Sequence, residues 1–256
     1  MRNKIILLTV LLATSLLSNA QLFLGAKVGL NVANVSASFQ KTSFSTKMGI
    51  NGGATLKYNF MSTFGLQMDM LYSQMGSQAK KVESLPDGAG GTLTTTTETV
   101  YDLSYLQIPI YANWEIPIKS EKLVPYRVRE NIISIHLMGG GFFGYGLSNN
   151  ISTSVKQYLV DVDNNASTTV IPKVSGANKK FNAIDFGIAA GAGVSFNISK
   201  VGKLTVDLRY LMGMGNFNSN GAFVDVTGKK PVMTNSAPQI ELGYIHRITK
   251  PKRWSK

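Results

Sequence analysis

The chain has 256 residues and carries 26 Lys and Arg against 14 Asp and Glu, a net charge of +12. It has no Cys, which excludes a disulfide framework and thiol chemistry. Past the first twenty residues no stretch is long and apolar enough for a membrane helix, so entry into a membrane requires a closed barrel.

Residues 1–20 read as a secretory signal peptide. Arg2 and Lys4 form a basic start, residues 5–17 an apolar run, and Ser18-Asn19-Ala20 a small-x-small cleavage site. Its removal takes away two basic residues and no acidic one, so +12 becomes +10. An exported chain without a basic recognition helix is a poor nucleic-acid partner.

Strands follow, read from alternation of apolar and polar side chains. The first is residues 23–32, with Leu24, Ala26, Val28, Leu30 and Val32 opposite Gly25, Lys27, Gly29 and Asn31. A polar loop leads to the second, 47–60, where Met48, Ile50, Ala54, Leu56 and Tyr58 oppose Asn51, Thr55, Lys57 and Asn59. A tight turn, 61–63, joins it to the third, 64–75, with Leu66, Met68, Met70 and Tyr72 opposite Gln67, Asp69 and Ser73. Residues 76–98 read as a long loop, with a Pro/Gly cluster and a Thr run that extends the strands beyond a bilayer. The fourth strand, 99–114, has an apolar register that changes near Ser104, which predicts a bulge. Its Pro109 cannot donate to a ladder and predicts a local defect.

Residues 115–130 read as a charged connection, 132–147 as the fifth strand and 148–180 as a long polar loop. The clearest hairpin comes next. Ile184, Phe186, Ile188, Ala190, Ala192, Val194 and Phe196 oppose Asp185, Gly187, Ala189, Gly191, Gly193 and Ser195; after a turn at 197–203, Leu204, Val206, Leu208 and Tyr210 oppose Thr205, Asp207 and Arg209. A loop at 216–237 and an eighth strand, 238–248, with Glu241 facing away from Ile240, Leu242 and Tyr244, complete the set before a basic tail at 250–256. Sliding residues 48–76 onto 186–214 without gaps matches Gly53 with Gly191, Asp69 with Asp207 and Tyr72 with Tyr210, which reads as duplication of a four-strand half.

An even number of strands of about ten residues, each with one apolar face, and connections that mostly alternate short and long form the pattern of an outer-membrane barrel. The expected architecture is an all-β, eight-stranded antiparallel up-and-down barrel over residues 21–249, with long external loops. Aromatic residues near strand ends read as interfacial girdles: Phe23, Tyr58, Phe60, Phe64, Trp114 and Phe196 at the periplasmic rim, and Tyr72, Tyr145 and Tyr210 at the outer one. The alternative is a soluble lipocalin-like carrier with the faces inverted. Eight strands leave an interior just wide enough for side chains. Lys27, Lys57, Asp69, Asp185, Asp207, Arg209 and Glu241 are then expected to pair inside as a charge network, with a gated ion or proton path as the sharper reading. The basic excess predicts contact with outer-membrane lipid and lipopolysaccharide.

Three segments, LGAKVGLNVANVS (24–36), FGLQMDMLYSQMG (64–76) and YLQIPIYANWEI (105–116), together with the hairpin at 181–216, resemble the PorT-like outer-membrane β-barrel family of the Bacteroidetes. The resemblance implies an outer-membrane location, an eight-strand barrel and, for some members, association with secretion or gliding machinery proteins. This chain departs from the family's pattern in Arg127, Arg129 and Glu130 and in its basic tail.

Motifs for chemistry are sparse. Residues 139–144, GGGFFG, match G-x-G-x-x-G but lie inside a strand with no helix following. Ser134 and His136 share one face of the fifth strand and suggest an outer-membrane lipid acyl hydrolase, although i and i+2 on a strand are roughly 7 Å apart. His246 reads as an interfacial histidine, and two distant His with no Cys point away from a metal site. Asp161 and Asp163 form a weak candidate calcium pair. The expectation is a monomeric, non-enzymatic outer-membrane barrel without a cofactor, whose role is structural or binding.

Overall fold

The computed structural model describes residues 21–37, 42–86, 90–123, 128–160, 166–176, 182–198, 201–218, 230 and 232–249. The expected leader (1–20), the basic tail (250–256) and the Asp161/Asp163 pair lie outside these residues. Nine strands are described: β1 (Gln21–Ala37), β2 (Thr42–Asn59), β3 (Phe64–Pro86), β4 (Thr92–Leu123), β5 (Val128–Val160), β6 (Ala166–Gly176), β7 (Ile184–Asn197), β8 (Gly202–Gly213) and β9 (Met233–Arg247). Eight close an antiparallel ring in the order β1, β2, β3, β4, β5, β7, β8, β9, with β9 returning to β1. The ninth, β6, stands outside the ring and pairs with β5 alone among the described strands.

The faces follow the alternation. Along β3 the burial pattern runs eBeBeBeBeBeB, with Gln67, Asp69, Leu71 and Ser73 inside and Leu66, Met68, Met70 and Tyr72 outside. The outward face is apolar on every strand of the ring: Val28 is 62% exposed, Ile50 53%, Ile110 52%, Phe186 54%, Leu208 60% and Leu242 60%. A soluble monomer rarely exposes apolar patches above a few hundred Å². A continuous belt of this kind belongs in hydrocarbon, and it excludes the inverted arrangement in which these side chains line a cavity.

The connections differ from the sequence expectation. Residues 76–98 are mostly strand, since β3 runs to Pro86 and β4 starts at Thr92, pairing Lys81 with Thr97 and Leu85 with Leu93. The Thr run is β-branched and belongs to the ladder. Residues 148–160 likewise extend β5, and 166–176 form β6. The charged connection is largely strand too: residues 115–123 belong to β4 and 128–130 to β5, and the two pair with each other. A bilayer needs about 9–11 residues of strand, so β4, with 32, and β5, with 33, project past both faces.

The bulge and the proline defect both occur. The β4–β5 register shifts between Ser104 and Tyr105, whose partners are Ser148 and Gly146, so the extra residue is on β5 and β4 keeps its phase. Leu103 and Tyr105 therefore face inward, beside Met75, Ala33 and Ala237. The β3–β4 ladder stops at Met68 with Ile110 and resumes at Leu71 with Gln107, a gap flanking Pro109. Of the expected aromatic rim, Trp114, Phe64, Phe196, Tyr72, Tyr145 and Tyr210 face outward. Phe23 does not: it is 1% exposed, inside the barrel, beneath the Lys203 ammonium (5.1 Å) and the Arg247 guanidinium (5.5 Å).

Reading β1 in steps of two gives the profile of the lumen. Phe23 caps the end that holds both ends of the ring. Lys27 and Asn31 form a polar middle, and Ala33 and Val35 enter an apolar plug at the far end. The plug continues with Leu103, Tyr105 and Met75, then Tyr101, Ala79, Phe217 and Met233.

Candidate functional site: the charged lumen

The charged side chains at the middle of the barrel occupy inward positions, and glycines lie beside Lys27, Asp207, Arg209 and Glu241 in the ladder. Arg209 of β8 is the centre. Its guanidinium donates to Asp69 Oδ2 of β3 at 2.6 Å and to Asp207 Oδ2 at 3.2 Å, and pairs with Glu241 Oε2 of β9 at 3.0 Å. Its Cζ stacks on the Tyr111 ring at 4.9 Å. Lys27 of β1 donates to Asp207 and lies 3.7 Å from Asp69 and 3.9 Å from Glu241. Thr55 of β2 donates to Asp69, and Gln67 donates to both of its oxygens, at 3.1 and 3.2 Å.

His136 joins this cluster from β5. Its Nε2 meets Asp207 Oδ1 at 2.7 Å and its Nδ1 meets Ser195 Oγ of β7 at 3.0 Å. Room for these contacts exists because position 193 is glycine. A Cβ there would sit 2.5 Å from both His136 Nε2 and Asp207 Oδ1. A second cluster lies nearer the terminal end. Lys57 donates to Glu115 and, at 3.1 Å, to Asn113, while Lys203 donates to Glu115 Oε2 at 3.1 Å. Every strand of the ring contributes a side chain to one cluster or the other.

Of the seven charges expected inside, the structure brings together Lys27, Asp69, Asp207, Arg209 and Glu241. Lys57 belongs to the separate Glu115 cluster. Asp185 is buried but lies apart, close beneath Gly213 and Gly215, with no ion pair among the described residues. Reasoning from sequence missed Glu115, Lys203, Thr55 and Ser195. The signal was parity: Glu115 continues the inward series 109, 111, 113, and Lys203 precedes 205, 207, 209. Asp69 and Asp207, matched in the internal repeat, lie on strands opposite one another in the ring and grip the same arginine.

The Ser134–His136 pair does not form, because both ring nitrogens of His136 are committed to Ser195 and Asp207. Ser195, His136 and Asp207 have the residue types of a nucleophile, a base and an orienting acid. All three are at most 2% exposed, and Asp207 also holds Lys27 and Arg209. The chain of bonds fixes three strands, β5, β7 and β8, to one another. Residues 139–144 run through the middle of β5, without the strand-to-helix turn that a dinucleotide site needs. Among the described residues no three His, Cys, Asp or Glu converge as a metal site.

The sequence profile of the outer membrane protein beta-barrel domain family matches residues 18–219. The chain belongs to this family. Its place is therefore the outer membrane, which agrees with the lipid-facing belt. In outer-membrane barrels short turns face the periplasm and long extensions face outward; here the short turn at 60–63 lies at the end that holds both ends of the ring, opposite the long extensions of β3–β6. No match is found among curated proteins. Among solved structures the barrel is similar to Neisserial surface protein A, with 12% identity over 90% of this chain and 99% of that one, TM-score 0.38. It is also similar to OprG from Pseudomonas aeruginosa, with 10% identity over 90% and 97%, TM-score 0.41. The Ail protein of Yersinia pestis follows, with 11% identity over 88% and 98%, TM-score 0.34. These likenesses are too distant to bear on function.

Proposed function

We propose that this outer-membrane barrel is non-enzymatic and works by binding through what it raises above and below the bilayer, while its lumen stays closed. The carrying observation is the lumen's filling. Two ion clusters and an apolar plug occupy it from end to end, whereas strands β3–β6 build a sheet well beyond the membrane. That sheet exposes Val82, Leu85, Val170 and Val174. On the periplasmic side the β4–β5 hairpin outruns its neighbours, since β3 ends opposite Trp114 and β7 opposite Ile133, and it exposes Ile116 and Ile118. An isolated hairpin is marginal in water, so a partner surface is the natural support for it.

The finer assignment is a PorT-like member of the Bacteroidetes, a monomeric barrel set in lipid and lipopolysaccharide, with secretion-machinery proteins as periplasmic partners. Support comes from the segments at 24–36, 64–76 and 105–116 and from the projecting hairpin. A photo-crosslinking residue at Ile118 or Val174, used in living cells, tests it. A discrete protein adduct at Ile118 is the expected result; bare monomer at both positions refutes binding and leaves a structural role. Lipid acyl hydrolysis by the purified protein that disappears in Ser134→Ala would refute the non-enzymatic reading.

A further inference from the structure

The Phe23 end of the lumen carries more positive charge than it uses. In the ladder, Phe23 of β1 has Lys57 of β2 on one side and Arg247 of β9 on the other. All three positions point inward: Phe23 is 1% exposed and Lys57 3%, and Arg247 continues the inward series of Glu241 and Ile245. Lys203 of β8 joins them, its ammonium 5.1 Å from the Phe23 ring centre, with the Arg247 guanidinium at 5.5 Å. Among the described residues one carboxylate serves these three cations. It is Glu115, which takes Lys57 and Lys203. Arg247 has no ion pair among the described residues, and its Nε is buried without a hydrogen-bond partner. The next carboxylates along the lumen, Asp69, Asp207 and Glu241, are held by Lys27 and Arg209. Arg247 is half-buried, so a molecule arriving at the mouth can reach it.

Three cations around one aromatic ring, with one carboxylate among them, suit an anion. Placement says what carries it. The cations face the lumen axis, so headgroups of the surrounding leaflet lie on the other side of the wall. The β4–β5 hairpin projects from this same end and exposes Ile116, Ile118 and Lys119. After β9 the sequence adds Lys250, Lys252, Arg253 and Lys256 and no acidic residue. Resting on the binding role proposed above, we propose that the periplasmic protein partner presents an acidic segment, one of whose carboxylates seats on Arg247 at the mouth while its apolar side chains cover Ile116 and Ile118 beside Lys119. A guanidinium holds a carboxylate through two parallel hydrogen bonds. Lys57 and Lys203, buried behind it, add attraction without touching the partner, and the basic rim draws an acidic segment toward the mouth.

The test places a photo-crosslinking residue at Ile118 of the full chain in living cells, with Arg247→Gln, Lys119→Gln, both or neither. Folding of each variant is read from its heat-dependent mobility in SDS electrophoresis. The protein adduct should fall by roughly two- to fivefold in each single variant, as expected for one partly exposed ion pair, and further in the double variant. Peptide mapping should place the crosslink in a segment whose Asp and Glu outnumber its Lys and Arg. Should the variants fail to fold, isolated outer membranes holding the chain with Arg247 and Lys119 intact decide the matter: the adduct should weaken as salt is raised, because salt screens exposed pairs. A protein adduct unchanged in the folded double variant, unchanged by salt, or mapped to a neutral or basic segment overturns this inference and leaves the hairpin's binding role standing. A phospholipid adduct in place of a protein overturns the inference as well. No adduct at Ile118 with Arg247 and Lys119 intact overturns it together with the hairpin's role as a binding element.

Discussion

Replacing Arg209 with methionine removes the residue that most of the lumen is built around. The guanidinium meets three carboxylates at 2.6, 3.0 and 3.2 Å and the Tyr111 ring at 4.9 Å, and is itself 3% exposed. Methionine keeps much of the stem's volume, so the loss is electrostatic. Removing one partner of a buried ion pair costs about 3–5 kcal/mol, because the other charge is left uncompensated. Here three carboxylates would be left with Lys27 as their one cation in the cluster, and about 4–5 kcal/mol is expected. The measurement is urea unfolding in lipid vesicles, followed by tryptophan fluorescence. Asp69→Asn in the same background removes one orphan charge and should recover part of the loss, with a coupling of at least about 1 kcal/mol between the two positions. A single-variant loss below about 1 kcal/mol, the size of an exposed pair, would refute the reasoning. The lumen would then be wet enough to treat these ions as surface charges.

Gly193→Ala drives a methyl against His136, Asp207 and the Val206 carbonyl, all 2.5 Å from the Cβ position, and should cost about 1–3 kcal/mol in the same assay. Leu208→Lys places an ammonium on the lipid face, where the natural side chain is 60% exposed, and should destabilise the barrel by about 2–4 kcal/mol if it lies near the midplane. A neutral result would deny that this face meets hydrocarbon. Burial pushes the Tyr101 phenol, outside the membrane in the external sheet, up to about 12. The folded protein therefore holds a proton that the unfolded chain releases at about 10. Stability from this group is complete below pH 10 and falls away between about 10 and 12; Tyr101→Phe should flatten that part of the stability–pH curve. Purified protein in a planar bilayer should show no steady open-channel steps, and Met75→Gly with Tyr105→Gly, which hollows the plug, is the variant most apt to create them.

Alternation made the barrel legible. Each of the eight ring strands has one apolar face, and period two needs no tertiary information to be read. Lys27, Asp69, Asp207, Arg209 and Glu241 are buried, and each sits mid-strand between neighbours of clear phase. The reading failed where composition was taken for conformation. The Thr run at 94–97 is polar on both faces and residues 115–123 are rich in charge, which looks like loop, yet both are paired to strands already in place. Glu115 was lost with the second of these segments, and Lys203 with the turn read at 197–203. Phe23 was placed at the rim as an aromatic near a strand end, although its odd position in the series 23, 25, 27 sends it inward.

The repeating pattern in the sequence determined a closed ring with an apolar exterior and charges within, since a strand in lipid can satisfy its backbone only by closure. Which charges meet was decided by tertiary structure alone. Strand stagger carries Asp69 across the lumen to Arg209, separates Lys57 from both, and leaves Asp185 by itself. It also brings His136 between Ser195 and Asp207, residues 59 and 71 positions away in the chain. Register between strands distant in sequence depends on the ladder as a whole, and no local pattern encodes it.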